Sequence, residues 1–256
     1  MSKARFLLGV LVGLVLGALT TGILVAQNVS EGQQRDKATG VVAAQEEYAG
    51  VELYVLLDDG SKTTSLGSQL GDIRHFILAQ PSSTKIGVAY MRNGIALIAQ
   101  KPTNDHELAA KALRLPLGAS GANGSPYFAL TDLLKRWPKS DNRREVLMIS
   151  DGIDRYYDGA DMLDPYLAQA IEKVQRAGVV VSAIYNPGVG DFGQGDWRRF
   201  IGQSYLAQVA RETGGQAYYI GFNGPAVSFA PYLRDFANRL NHADDRGAAR
   251  GGGGQS

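Results

Sequence analysis

The sequence predicts an α/β fold: a doubly wound, mostly parallel sheet with one antiparallel edge strand and helices on both faces. Short apolar runs alternate with stretches whose apolar residues recur every three or four positions, the rhythm of strands alternating with helices. The run 179–185 is apolar but for Ser182, as expected of a strand covered on both faces. Arg92-Asn93-Gly94 separates two apolar runs, and Asn-Gly tolerates the positive φ of a tight hairpin, which supplies the antiparallel pair.

The elements follow in order. Residues 51–57 form a first strand, and Leu66, Leu70, Ile73 and Ile77 mark a helix after it. Strands over 85–91 and 95–99 flank the Asn-Gly turn. Helices are expected over about 104–114 and 126–137, then a strand over 146–150. Leu163, Leu167, Ala170, Ile171 and Val174 lie on one face of the next helix, which Gly178 stops. After the strand 179–185, Leu206, Val209 and Ala210 mark a helix ended by Gly214-Gly215. Residues 217–220 form a last strand, and Phe229, Leu233, Phe236 and Leu240 the face of a last helix. Arg143-Arg144 and Arg198-Arg199 read as solvated surface.

The flanks differ in composition. Lys3 and Arg5 precede an uncharged apolar run over 6–26, long enough to cross about 30 Å of hydrocarbon as a helix. Two readings of 1–26 stand: a transmembrane anchor with the remainder outside the cytoplasm, or a signal peptide cleaved before Gln27, which would leave a secreted or periplasmic chain. Gly9, Gly13 and Gly17 share one helix face, where two such segments would pack closely in self-association. Residues 27–46 read as a linker, 47–242 as the folded domain, and 243–256 as a disordered glycine-rich tail.

Composition excludes several functions. With 26 basic and 25 acidic residues, there is no electrostatic case for a nucleic-acid binder. The chain has no cysteine, so disulfides, thiolate metal sites and cysteine nucleophiles are out. His75, His106 and His242 lie far apart, outside any zinc-hydrolase spacing. Gly188, Gly190 and Gly193 fit Gly-x-Gly-x-x-Gly, but after a late strand and behind Pro187, a poor context for a dinucleotide. No nucleophile–base pair is recognisable, so the reading is noncatalytic. A hydrolase or a nucleotide-binding enzyme is the weaker alternative.

Ligands of such sheets bind at the carboxyl ends of the strands. Three polar loops leave those ends: 58–65, 121–126 and 150–154. Carboxylates and hydroxyls gathered without Cys or His suit a hard divalent cation, Mg2+ with Mn2+ as a substitute. These loops and their order resemble the von Willebrand factor type A domain, of the exported or membrane-anchored bacterial kind. Asp59-x-Ser61-x-Thr63 resembles the first element of that family's metal-ion-dependent adhesion site, Ser125 the second, and Asp151-Gly152 the third. Val180–Tyr185 and the Thr213-Gly214-Gly215 turn resemble its later elements.

The resemblance implies a metal held by Asp59, Ser61, Thr63, Ser125 and Asp151, completed by a carboxylate of a protein ligand. A second register starts from Asp58, which would put Gly60 and Lys62 at the ligand positions and leave no metal site. Ser61 and Thr63 also read as helix caps. Asp58, Asp154, Tyr156 and Tyr157 complete the expected ligand face. The function expected is an extracytoplasmic protein-binding or adhesion module; a metal-independent scaffold is the alternative.

Overall fold

The structure, a computed structural model, describes residues 48–60, 66–118, 124–157, 164–186, 196–218 and 228–251. The membrane segment with Gly9, Gly13 and Gly17, the linker, Ser61, Thr63, the 188–193 glycine loop and residues 252–256 lie outside the described residues. No helix among the described residues is long and apolar enough to cross a membrane.

Six strands, β1 (Val51–Asp58), β2 (Thr84–Arg92), β3 (Ile95–Thr103), β4 (Arg143–Ser150), β5 (Val179–Tyr185) and β6 (Ala217–Tyr218), form one sheet in the order β3-β2-β1-β4-β5-β6. All neighbours are parallel except β2 and β3. The hairpin turn has Asn93 at φ 52° and Gly94 at φ 73°, the pair of positive angles that a two-residue turn needs. β3 runs past residue 99 to Thr103 and includes Pro102, which an edge strand accommodates because its outer amide has no ladder partner.

The helices are α1 (Leu70–Leu78), α2 (His106–Lys111), α3 (Pro126–Arg136), α4 (Pro165–Arg176), α5 (Asp196–Thr213) and α6 (Ala230–Gly251). Alternation along β1 divides the core. Tyr54 and Leu56 face one cluster, roofed by α3, α4 and α5; Val51, Leu53, Val55 and Leu57 face the other, roofed by α1, α2 and α6. Both faces of β1 are therefore apolar, the signature of a central strand. Val181 is fully buried, while Leu70 is only half-buried at the rim of the second cluster.

Two readings change. β4 begins at Arg143, and its first residues are not solvated: Arg144 lies over the Trp137 ring with its carbon 5.6 Å from the centroid, and Arg143 pairs with Glu145 at 3.0 Å. Delocalised guanidinium tolerates such sites because it stacks on an aromatic and bonds in a fork. The last helix continues to Gly251, past the boundary expected at 242; Ala and Arg in that stretch are good helix formers.

Candidate functional site at the carboxyl edge of the sheet

β1 ends in Asp58 with Asp59 next to it, and Asp151 directly follows β4 at the same sheet edge; alternation decides where the first two point. Asp58 follows Leu57 and shares the α3–α5 face with Leu56. It accepts hydrogen bonds from the Gly60 amide at 2.9 Å and from Ser150 Oγ at 3.2 Å. Asp59 shares the opposite face with Leu57. It is fully buried, with Arg114 in a fork across its two oxygens at 2.6 and 3.1 Å, the Leu117 amide at 3.0 Å and Arg92 at 3.6 Å. Arg114 is itself stacked on the Tyr90 ring, 3.9 Å from its centroid. Burial favours the protonated form of Asp59, but the Arg114 and Leu117 bonds and the two arginine charges outweigh it and hold the carboxyl below its usual range.

Asp151 sits at the end of β4 beside Asp58. The Arg155 guanidinium reaches it with 2.5 Å to Oδ2 and 3.4 Å to Oδ1, and the Ile153 amide bonds Oδ1 at 3.0 Å. Burial and the Asp151 charge together push the Asp58 carboxyl up to about 7, with Arg155, Gly60 and Ser150 pulling the other way. The Asp58 proton is thus retained well above the ordinary range in the folded state.

From about pH 4, where an unfolded Asp titrates, to about pH 7, folding requires the protein to keep a proton that the unfolded chain releases. Stability should fall as pH rises through that window. Asp58→Asn should remove most of the fall and stabilise the domain at pH 8 by about 1–3 kcal/mol. Urea unfolding of parent and variant at pH 5 and pH 8 checks it; a variant with the parent's slope would disprove the assignment.

Ser125 and Asp154 form the next layer. Ser125 caps α3, accepting from the Phe128 amide at 3.3 Å, and donates its hydroxyl to Asp154 Oδ2 at 2.6 Å. The other Asp154 oxygen accepts from the Tyr156 and Tyr157 amides at 2.8 and 3.1 Å. Asp154 therefore ties the helix cap to the tyrosine loop. Tyr156, Tyr157, Phe128 and Tyr166 form an edge-to-face cluster with ring centroids 4.9–6.2 Å apart. Tyr156 is 51% exposed. Asp164 caps α4 nearby, and burial pushes its carboxyl up to about 6.

α5 closes the site from the side. Gly152 has φ 71°, and Gly202 of α5 packs against the Asp151 carbonyl so closely that neither glycine has room for a side chain. A shallow groove opens beside Arg155, lined also by Asp58, Arg92, Asn93, Gly124 and Ser125.

The structure thus brings together Asp58, Ser125, Asp151 and Asp154, and turns Asp59 away to the other face of the sheet. The reason is parity: Asp58 occupies the side that carries α3 and its cap, so the two aspartates stand opposite to the Asp59 register. Arg155, Arg114, Arg92 and Ser150 were not singled out from the sequence. Arg155 stands four residues after Asp151, the one local signal for it.

No family model matches this sequence, and no curated protein is significantly similar to it. Solved structures do share the architecture. An aerotolerance-related membrane protein from Bacteroides fragilis is 15% identical, matching 75% of this chain and 100% of that one at a TM-score of 0.54. The vWF domain of the type V pili tip protein Mfa5 from Porphyromonas gingivalis is 11% identical, over 76% of this chain and 96% of that one, at a TM-score of 0.55.

The domain has the von Willebrand factor type A fold. At these identities the likeness is one of fold.

The vWA resemblance implied a divalent cation at this edge, and the described residues do not fit one. A hard cation needs several oxygen donors with free lone pairs around one point. Both Asp59 oxygens are held by Arg114, and both Asp151 oxygens by Arg155. The Ser125 oxygen already caps α3 while its proton bonds Asp154. The residue two beyond Asp58 is Gly60, which has no side-chain donor. Among the described residues no group of three or more acidic or histidine side chains is arranged to hold a metal.

Proposed function

We propose that the vWA-type domain is a noncatalytic protein-interaction module whose ligand face is the carboxyl edge of the sheet. One observation carries this reading: exposed large apolar side chains gather there. Ile95 leaves the β2–β3 turn; Leu115 and Leu117 follow the Arg114 fork; Tyr156 tops the aromatic cluster; Trp197 and Phe200 stack at the start of α5, 5.8 Å between centroids. Aromatic and apolar groups interleaved with arginine are the composition of interface centres rather than of general surface.

The chemistry supports binding over turnover. The acids at this edge are engaged by arginines, hydroxyls or backbone amides, and His106 bonds the Thr84 carbonyl at the opposite end of the sheet. We further propose that residues 6–26 place the domain outside the cytoplasm, as a single-pass anchor or as a cleaved signal. The partner is a protein; Mg2+ is not part of this reading, because the carboxylates expected to hold it are committed to guanidinium groups.

A photo-crosslinker at Tyr156 or Leu117 should capture the same partner in the native envelope, while one at exposed Leu78 of α1 should not. Tyr156→Ala and Trp197→Ala should each weaken that binding about tenfold or more, the range of interface anchors, without loss of folding. Equal capture from Leu78, or unchanged binding in both variants, would refute the face. Turnover of a phosphoester or peptide that Asp151→Ala abolishes would refute the noncatalytic reading.

A further inference from the structure

At the carboxyl edge, two carboxylates from neighbouring parallel strands face each other, and a guanidinium from the following loop stands with them. Asp58 ends β1, Asp151 follows β4, and Arg155 lies on the loop that Asp154 and the Gly124 carbonyl fix: the Arg155 amide donates to Gly124 at 3.2 Å. The side chain is thus delivered from a backbone pinned next to the helix cap. It spans both Asp151 oxygens and lowers the electrostatic cost of ionising Asp58. Where the vWA resemblance implies a dication, this chain supplies a covalently attached monocation.

We propose that the Arg155 guanidinium takes the place of a divalent cation in organising this edge, so that the ligand face is assembled without metal and does not admit one. Three features agree with the substitution. A planar fork satisfies a carboxylate in two bonds and needs no dehydrated coordination sphere. The hydroxyl side chains that would complete a metal's shell are replaced by glycine at position 60 and diverted at Ser125 to Asp154. The second acid of the first loop, Asp59, is withdrawn from the site by its own arginine fork. The charges at this edge are therefore balanced within the chain.

The inference is independent of which partner binds, and its test uses stability and ion binding alone. Thermal unfolding of the full chain should be the same in Mg2+, Mn2+ and chelator. Arg155→Ala should lower the midpoint by about 4–8 °C, the effect of exposing a partly buried carboxylate pair to its own repulsion. Asp58→Asn added to Arg155→Ala should recover much of that loss, and Mn2+ should now raise the midpoint of Arg155→Ala, with binding detectable by calorimetry where the parent shows none.

Arg155→Lys keeps the charge but not the fork; its midpoint should fall between those of the parent and Arg155→Ala while staying indifferent to ions, so it decides the matter if the alanine variant does not fold. A parent stabilised by Mg2+ or Mn2+, an Arg155→Ala variant as stable as the parent, or an Arg155→Lys variant that requires a divalent ion would each overturn the proposal.

Discussion

Arg114→Ala should destabilise the domain by about 3–5 kcal/mol at neutral pH, the usual result of stripping one partner from a buried ion pair. Asp59 has no exposed surface, and Arg114 supplies both hydrogen bonds of the fork. Arg92, 3.6 Å away, is too distant to replace them. The variant also loses the stacking of guanidinium on Tyr90. The loss should depend on pH in a defined direction. In the parent, Asp59 is held below its usual range, so its contribution is present above about pH 4 and is lost only in stronger acid. In Arg114→Ala that carboxyl rises, and the variant's deficit should shrink as pH falls and Asp59 takes up a proton. Asp59→Asn combined with Arg114→Met should recover most of the stability, because a pair replaced on both sides leaves no buried charge. Urea denaturation of the three proteins at pH 5 and pH 7.5 gives the comparison. A pH-independent deficit would mean that Arg114 acts through packing alone.

The second large effect is steric. Gly202→Ala should cost about 3 kcal/mol, because the added carbon would overlap the Asp151 carbonyl oxygen and crowd Ile153. Backbone is the obstacle, so relief requires α5 to move away from the end of β4. That motion displaces the Asp151 loop, and the aromatic pair at the start of α5 moves with the helix. The same exchange at Gly71 of α1 meets nothing within 4 Å and should stabilise by about 0.5–1 kcal/mol, since alanine is the better helix former. Denaturant unfolding of both variants checks the opposite signs. A Gly202→Ala protein as stable as the parent would show that this contact has slack.

These two sites mark what was and was not legible in the sequence. The sheet and its helices were readable because strand and helix periods alternate cleanly and the Asn-Gly turn fixes the antiparallel edge. The glycine contact was not, since Gly202 sits inside a helix where nothing local demands a glycine. The choice between Asp58 and Asp59 was also hidden. Alternation reveals a strand's two faces only when one is polar, and both faces of β1 are apolar. Adjacent aspartates at its end then carry no mark of the side each will take. Arg114 lies far along the chain from Asp59, so no local spacing joins them. Arg143 and Arg144 were misread for a related reason: an arginine pair before an apolar strand looks exposed until Trp137 and Glu145 are found against it.

The placement of β1 at the centre of the sheet has a consequence for how the chain is made. Val51 pairs with Thr84 on one side and with Arg143 on the other. The first partner is close enough in sequence to assemble with the β2–β3 hairpin early. The second is synthesised much later, and contacts between distant segments form slowly because the intervening chain must be ordered first. Until β4 emerges, one edge of a strand reading Val-Glu-Leu-Tyr-Val-Leu-Leu-Asp has no neighbour, and such an edge invites pairing with other chains. A nascent chain stalled before residue 143 is therefore the aggregation-prone form of this protein, and completion of β4 is the step that ends the hazard.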